Sequence, residues 1–169
     1  MKIELDSGTV LNVKNEIIVG RYGSKTLCDL MIDSSGTSEI ENISEDLSFP
    51  VHGIEDQIMS FILVYMNYRH ANPLPEPENE REAKRTDNLN DWDLHFFQSK
   101  PQEIREAIIS GSNYLNVSEL TNLGARFLAG IIKTFTSPQQ LRDFFRLEND
   151  FTPEEEERVR RESEWCEDK

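Results

Sequence analysis

The sequence predicts an α+β fold in which a small sheet opens the chain and helices make up the rest. Three observations predict it. Residues 2–13 alternate apolar and polar side chains around a turn signal, the period of a half-buried strand pair. From residue 54 onward apolar residues recur at intervals of three and four, the period of helices with one buried face. Within the helical block, residues 72–91 (NPLPEPENEREAKRTDNLND) are too polar to bury and read as a connector.

The elements follow in order. In the opening hairpin, Ile3 and Leu5 alternate with Lys2, Glu4 and Asp6; Asp6-Ser7-Gly8 turns the chain, and Leu11 and Val13 alternate on the return. Residues 15–31 read as two short helices broken at Tyr22-Gly23. Ser24 caps the second, which turns Leu27, Leu30 and Met31 inward. Residues 33–48 are polar, Ser-rich and acidic, hence a loop. Phe49-Pro50-Val51 reads as a short edge strand, where proline is tolerated. Ile54, Ile58, Phe61, Ile62, Tyr65 and Met66 give a helical period over 54–68. Pro73, Pro75 and Pro77 stiffen the start of the connector.

Trp92, Leu94, Phe96 and Phe97 then mark re-entry into a core. Ser99 to Gln102 suggest a capping box that opens a helix with Ile104, Ala107, Ile108 and Leu115 on one side. The next helix starts near Ser118 and carries Leu120, Leu123, Phe127, Leu128, Ile131, Ile132 and Phe135 in helical register. Ser137-Pro138-x-Gln140 caps a further helix with Leu141, Phe144, Phe145 and Leu147.

The last 21 residues, 149–169 (NDFTPEEEERVRRESEWCEDK), hold the strongest helix start in the chain. Thr152 caps, Pro153 takes the first helical position, and Glu155 completes a T-x-x-E box. Glu154 to Glu157 suit the positive end of the helix dipole. Glu154–Arg158, Glu156–Arg160 and Glu157–Arg161 stand in the favourable i,i+4 order, each worth a few tenths of a kcal/mol. Yet between Pro153 and Glu164 Val159 is the one large apolar residue, and Trp165 and Cys166 follow. A helix this short is marginal alone in water, and a tryptophan at its tip calls for cover, from its own domain or from a partner.

Composition bounds the function. The chain has 169 residues, 32 acids against 18 bases and a formal charge of −14, which argues against nucleic acid or an anionic membrane as main partner. The charge is uneven: ten acids against four bases over 148–169, but five against six over 92–147, the block richest in apolar helical pattern. No run of 18 apolar residues offers a membrane span, and the first residues, MKIELDSGTV, lack an apolar signal core. An intracellular location with reduced thiols at Cys28 and Cys166 is therefore expected.

Catalytic signatures are weak. His52, His70 and His95 fall in separate segments, and Gly20 and Gly23 are not followed by a phosphate-loop lysine. The carboxylates cluster as solvated runs. No catalytic residue, metal ligand or cofactor is expected.

Three stretches, KRTDNLNDWD (84–93), NYL (113–115) and the whole of 149–169, closely resemble the Skp-type adaptors of SCF ubiquitin ligases. KIELDSGTVLNV and FPVHGIEDQIMSFILVY are similar to that family's opening hairpin and to its strand and long helix. The resemblance implies a BTB/POZ-type α/β fold followed by C-terminal F-box-binding helices. It divides the chain into 1–71, the N-terminal part of that fold; 72–91, the connector; 92–135, its helical remainder; and 136–169, the F-box-binding helices. It implies a non-catalytic adaptor whose partners are a cullin scaffold and F-box proteins. Carried over by position, the F-box surface lies within Ile109 to Lys169, with Ile109, Leu120, Leu123, Phe127, Ile131, Phe145, Phe151, Val159, Trp165 and Lys169 as its residues. The cullin contact includes Asn113 and Tyr114. Departures mark a divergent member: Gly111-Ser112 precede Asn113, Thr121 stands where the family has leucine, the turn at 133–138 is one residue longer, and Val64-Tyr65 replace Trp-Cys. The alternative is a BTB-like module that binds F-box proteins without a cullin.

Overall fold

The computed structural model describes residues 1–37, 39, 42–75 and 89–163. It is α+β, as expected. The described chain forms two compact units, residues 1–130 and 131–169.

In the first unit, β1 (Lys2–Leu5) and β2 (Val10–Asn12) form the hairpin, with Ile3 opposite Leu11. Gly8, at φ 85°, takes the left-handed turn position that a side chain would strain. α1 (Asn15–Ile18) and α2 (Lys25–Ser35) follow. Between them the backbone doubles back closely enough to require glycine: a Cβ on Gly23 would lie 1.9 Å from the Ile18 carbonyl oxygen. Ser24 caps α2 by accepting from the Leu27 N–H, and its hydroxyl donates to the Leu115 carbonyl at 2.6 Å. β3 (Ser48–Val51) then joins β1 in parallel, giving the order β2-β1-β3. Pro50, opposite Glu4, is tolerated because β3 is an edge.

Four helices complete this sheet: α3 (Asp56–Ala71), α4 (Asp91–Gln98), α5 (Gln102–Tyr114) and α6 (Ser118–Ile132), the last running on past Gly130. Ile3, Leu27, Met31, Met59, Ile62, Tyr65, Met66, Phe97, Ile108 and Leu120 form the buried centre. Arg69 and Asp93 pair inside it, at side-chain exposures of 3% and 2%. Asn90 caps α4 by accepting from the Asp93 N–H, and Tyr68 and Trp92 stack with centroids 3.7 Å apart.

Several sequence expectations are corrected. α2 runs to Ser35, four residues past its expected end, and Gly36 closes it in the left-handed conformation. Leu30 faces out, because Leu27 and Met31, one turn apart, take the buried seam. Ile43 is buried within the expected polar loop, its carbonyl accepting from Asn15. No capping box forms at Ser99: that residue closes α4 through its backbone, and Pro101 leads into α5 without a side-chain cap. α6 stops at Ile132, so Phe135 lies beyond it. Most of the connector, 76–88, lies outside the described residues, including Pro77 and the Lys84 to Asp87 stretch.

In the second unit, α7 (Pro138–Phe145) is capped by Ser137, whose hydroxyl accepts from the Gln140 N–H. Arg146, left-handed at φ 56°, ends it, and the Leu147 N–H returns to the Arg142 carbonyl at 2.8 Å. α8 (Pro153–Ser163) opens on the expected reciprocal box: the Glu155 N–H donates to Thr152 Oγ1 at 3.3 Å, and the Thr152 N–H donates to Glu155 Oε2 at 3.0 Å. Neither α7 nor α8 has a buried residue.

Candidate partner-binding site

The second unit exposes the apolar side chains of Phe145, Leu147, Phe151 and Val159, at 38%, 61%, 47% and 44%. Each is placed by a local device. The Ser137 cap and Pro138 start α7, which carries Phe145 at its end. The left-handed Arg146 turns the chain so that Leu147 leaves the helix. The Asn149 side chain accepts from the Phe151 N–H at 3.3 Å and fixes the approach to α8. The Thr152–Glu155 box then starts the helix that holds Val159.

A cleft of about 580 Å³ lies between α7 and α8, lined by Pro138, Arg142, Phe151, Val159, Arg160 and Ser163 among others. Arg142 organises it. Its guanidinium sits 5.7 Å from the centre of the Phe151 ring and 3.3 Å from Glu156 Oε1, which also accepts from Asn149 at 2.9 Å. Phe135, Phe144 and Phe145 pack on one another at 5.4 and 4.9 Å. The arrangement offers apolar surface flanked by paired charges, which is the composition of a binding surface rather than of a reactive centre. Arg142 escapes a sequence reading, since it and Glu156 are 14 positions apart and no local period links them.

Of the expected i,i+4 pairs on α8, Glu157–Arg161 forms, at 3.1 Å. Glu157 also meets Arg160 at 3.1 Å, while Glu156 turns to Arg142 instead of Arg160.

The expected F-box residues divide into four groups. Phe145, Phe151 and Val159 are exposed together in the second unit, and Ile131 is half-buried there. Leu120, Leu123 and Phe127 are corrected: they are core residues of the first unit at 0%, 1% and 5% exposure, with Phe127 stacked on Phe97. Their helical period reports burial against α4 and α5, not an open face. Ile109 is half-buried and pressed toward Gly124, where a Cβ would meet Ile109 Cγ1 at 2.3 Å. Trp165 and Lys169 lie outside the described residues.

The expected cullin pair is a separate surface on the first unit. Asn113 and Tyr114 end α5 and both are exposed, Tyr114 at 58%. Tyr114 borders a cleft of about 320 Å³ lined also by His52, Gly53, Ile54, Glu55 and Gly111. That rim is tied down by Asp6, which accepts from the Gly53 N–H at 2.7 Å and meets His52 Nδ1 at 2.6 Å. These two contacts hold the Asp6 carboxyl below its ordinary value. Thr9 and, to a lesser degree, Ser7 bond to Asp56 in the same region and hold its carboxyl low as well.

Among the described residues no group of His, Cys, Asp or Glu is arranged to hold a metal ion, and no helix is long and apolar enough to cross a membrane. Burial raises the Cys28 thiol above its ordinary value, which keeps it protonated.

Comparison with known proteins places these surfaces in context. Residues 118–166 match the Skp1 family, dimerisation domain. The chain is 31% identical over 163 residues to a Skp1-related protein of Caenorhabditis elegans, covering 96% of this chain and 88% of that protein. It is 35% identical over 131 residues to the SCF ubiquitin ligase complex protein SKP1b of Dictyostelium discoideum, covering 77% and 80%. A third relative, the E3 ubiquitin ligase complex SCF subunit sconC of Talaromyces marneffei, is 33% identical over 135 residues, covering 77% and 83%.

Proposed function

The chain belongs to the Skp1 family, and on that premise we propose that it is the adaptor subunit of an SCF-type ubiquitin ligase, bridging a cullin scaffold to F-box substrate receptors. The role is non-catalytic: binding, not bond-making, is its contribution to ubiquitination. The observation that carries the reading is the exposed set Phe145, Leu147, Phe151 and Val159 on α7 and α8, which have no buried residue of their own. It falls within the segment that matches the family's domain, and relatives of the chain are named as SCF complex subunits. An F-box segment supplies apolar cover there. Asn113 and Tyr114, exposed at the end of α5, make the cullin contact.

Reconstitution from purified chain, F-box domain and cullin N-terminal region tests this. Asn113→Lys with Tyr114→Lys should abolish capture of the cullin and leave the F-box complex intact. Retention of the cullin would refute the assignment of that surface. Failure of the unaltered chain to hold any cullin while binding F-box domains would instead favour a binding module outside the ligase.

A further inference from the structure

We propose that Thr152 is a phosphorylation site for a proline-directed Ser/Thr kinase, and that the phosphate weakens partner binding by opening the first turn of α8. The regulatory half of this proposal rests on the adaptor reading; the modification itself does not.

Two of the seven prolines follow a hydroxyl residue, at Ser137-Pro138 and Thr152-Pro153. They differ in access. Thr152 is exposed and follows an exposed, non-helical run from Leu147 to Phe151, so a kinase can take that side of it in extended form. Ser137 is half-buried, while each hydroxyl alike accepts from the N–H three residues on. On the other side of Thr152 the first turn of α8 must loosen for the hydroxyl to enter an active site. That opening is cheap, because α8 has no buried residue and an isolated helix of eleven residues is marginal in water.

The transfer balances simply. Thr152 Oγ1 attacks the γ-phosphorus of ATP, its proton passes to the kinase base, and ADP leaves with the broken P–O bond.

The consequence follows from what the hydroxyl touches. Thr152 Oγ1 donates to Glu155 Oε2 at 2.9 Å, and the Thr152 N–H donates to the same oxygen at 3.0 Å. A phosphate on Oγ1 has no proton to give Glu155 and brings about two negative charges against an ionised carboxylate. A phosphate at a helix N-terminus is ordinarily favourable, since the dipole presents roughly half a positive charge there. Here Glu154, Glu155 and Glu156 occupy the same turn. Glu156 is paired with Arg142, but Glu154 and the directly contacting Glu155 still outweigh half a charge, so repulsion decides the sign. The turn that opens is the one between Phe151 and Val159.

The test uses the full chain, ATP and a purified proline-directed kinase. Site mapping by mass spectrometry should find phosphate on Thr152, forming at least about tenfold faster than on Ser137 and absent from Thr152→Val. The phosphorylated chain should bind an F-box domain about tenfold more weakly than the unmodified chain and lose far-ultraviolet helical signal. Thr152→Val, which removes the cap without adding charge, should bind more tightly than the phosphorylated chain, which separates loss of the cap from repulsion. Phosphate confined to Ser137, no phosphate at all, or unchanged affinity and helicity after modification overturns the proposal. If the unmodified chain binds no F-box domain, the adaptor reading fails, and site mapping with the loss of helicity still decides for or against Thr152.

Discussion

Replacing Asp93 by asparagine should unfold the first unit more easily than any surface change. The Asp93 carboxylate pairs with the Arg69 guanidinium, both side chains almost wholly out of water at 2% and 3% exposure. Its second oxygen accepts from Asn90 Nδ2 at 2.8 Å. Arg69 lies beside the stacked Tyr68–Trp92 pair, its carbon centre 5.5 Å from the Tyr68 ring and 5.4 Å from the Trp92 ring, and its Nε makes no hydrogen bond. An amide at 93 removes the countercharge and leaves a guanidinium stranded in the core, at a cost of about 3–5 kcal/mol. Native domains hold about 5–15 kcal/mol in total. With a urea dependence of about 2 kcal/mol per M, the midpoint should fall by about 2 M. Adding Arg69→Met to Asp93→Asn should recover at least about 2 kcal/mol, because the stranded charge is gone. Urea unfolding followed by the Trp92 environment measures all three variants. A loss under about 1 kcal/mol for Asp93→Asn, or strict additivity in the double variant, would refute the reasoning.

Two further outcomes test other parts of the structure. Gly124→Ala places a Cβ 2.3 Å from Ile109 Cγ1 and 2.8 Å from Cδ1; overpacking of about 1–3 kcal/mol exceeds the helix-propensity gain of about 1 kcal/mol. Thermal unfolding should therefore show a lower midpoint, and Ile109→Ala should restore it. Bonds from the Thr152 backbone and hydroxyl hold the Glu155 carboxyl below its ordinary 4.5, so the folded α8 prefers it ionised. The cap's contribution is then complete above pH 4.5 and is lost as pH falls through the lowered value. Circular dichroism should show a helical step over that acid range that Glu155→Gln lacks.

Much of this fold was legible because its signals are local. The hairpin turn at Asp6-Ser7-Gly8, the caps at Ser24, Ser137 and Thr152, and the edge strand at Pro50 each follow from a few adjacent residues, and all appear as read. Errors arose where a local pattern had two solutions. Leu120, Leu123 and Phe127 mark a buried face, but periodicity cannot say whether the chain itself or a partner buries it; Phe97 and its neighbours in the same unit do. Ser99 resembles a cap in sequence, yet it closes the preceding helix. Arg69–Asp93 and Arg142–Glu156 join residues 24 and 14 positions apart, and no period carries such pairs. The exposure of the last helix was legible because a charged helix with Val159 as its one large apolar residue among 153–163 cannot form a core.

The adaptor assignment meets its most direct test in a calorimetric titration of an F-box domain into the full chain and into Phe151→Lys/Val159→Lys. Both altered residues are exposed, so the fold should keep its unfolding midpoint. The unaltered chain should bind, and the double variant should bind at least about thirtyfold more weakly, a loss of about 2 kcal/mol typical of apolar anchors. Equal affinity in the two titrations, or no binding by the unaltered chain, would contradict the assignment.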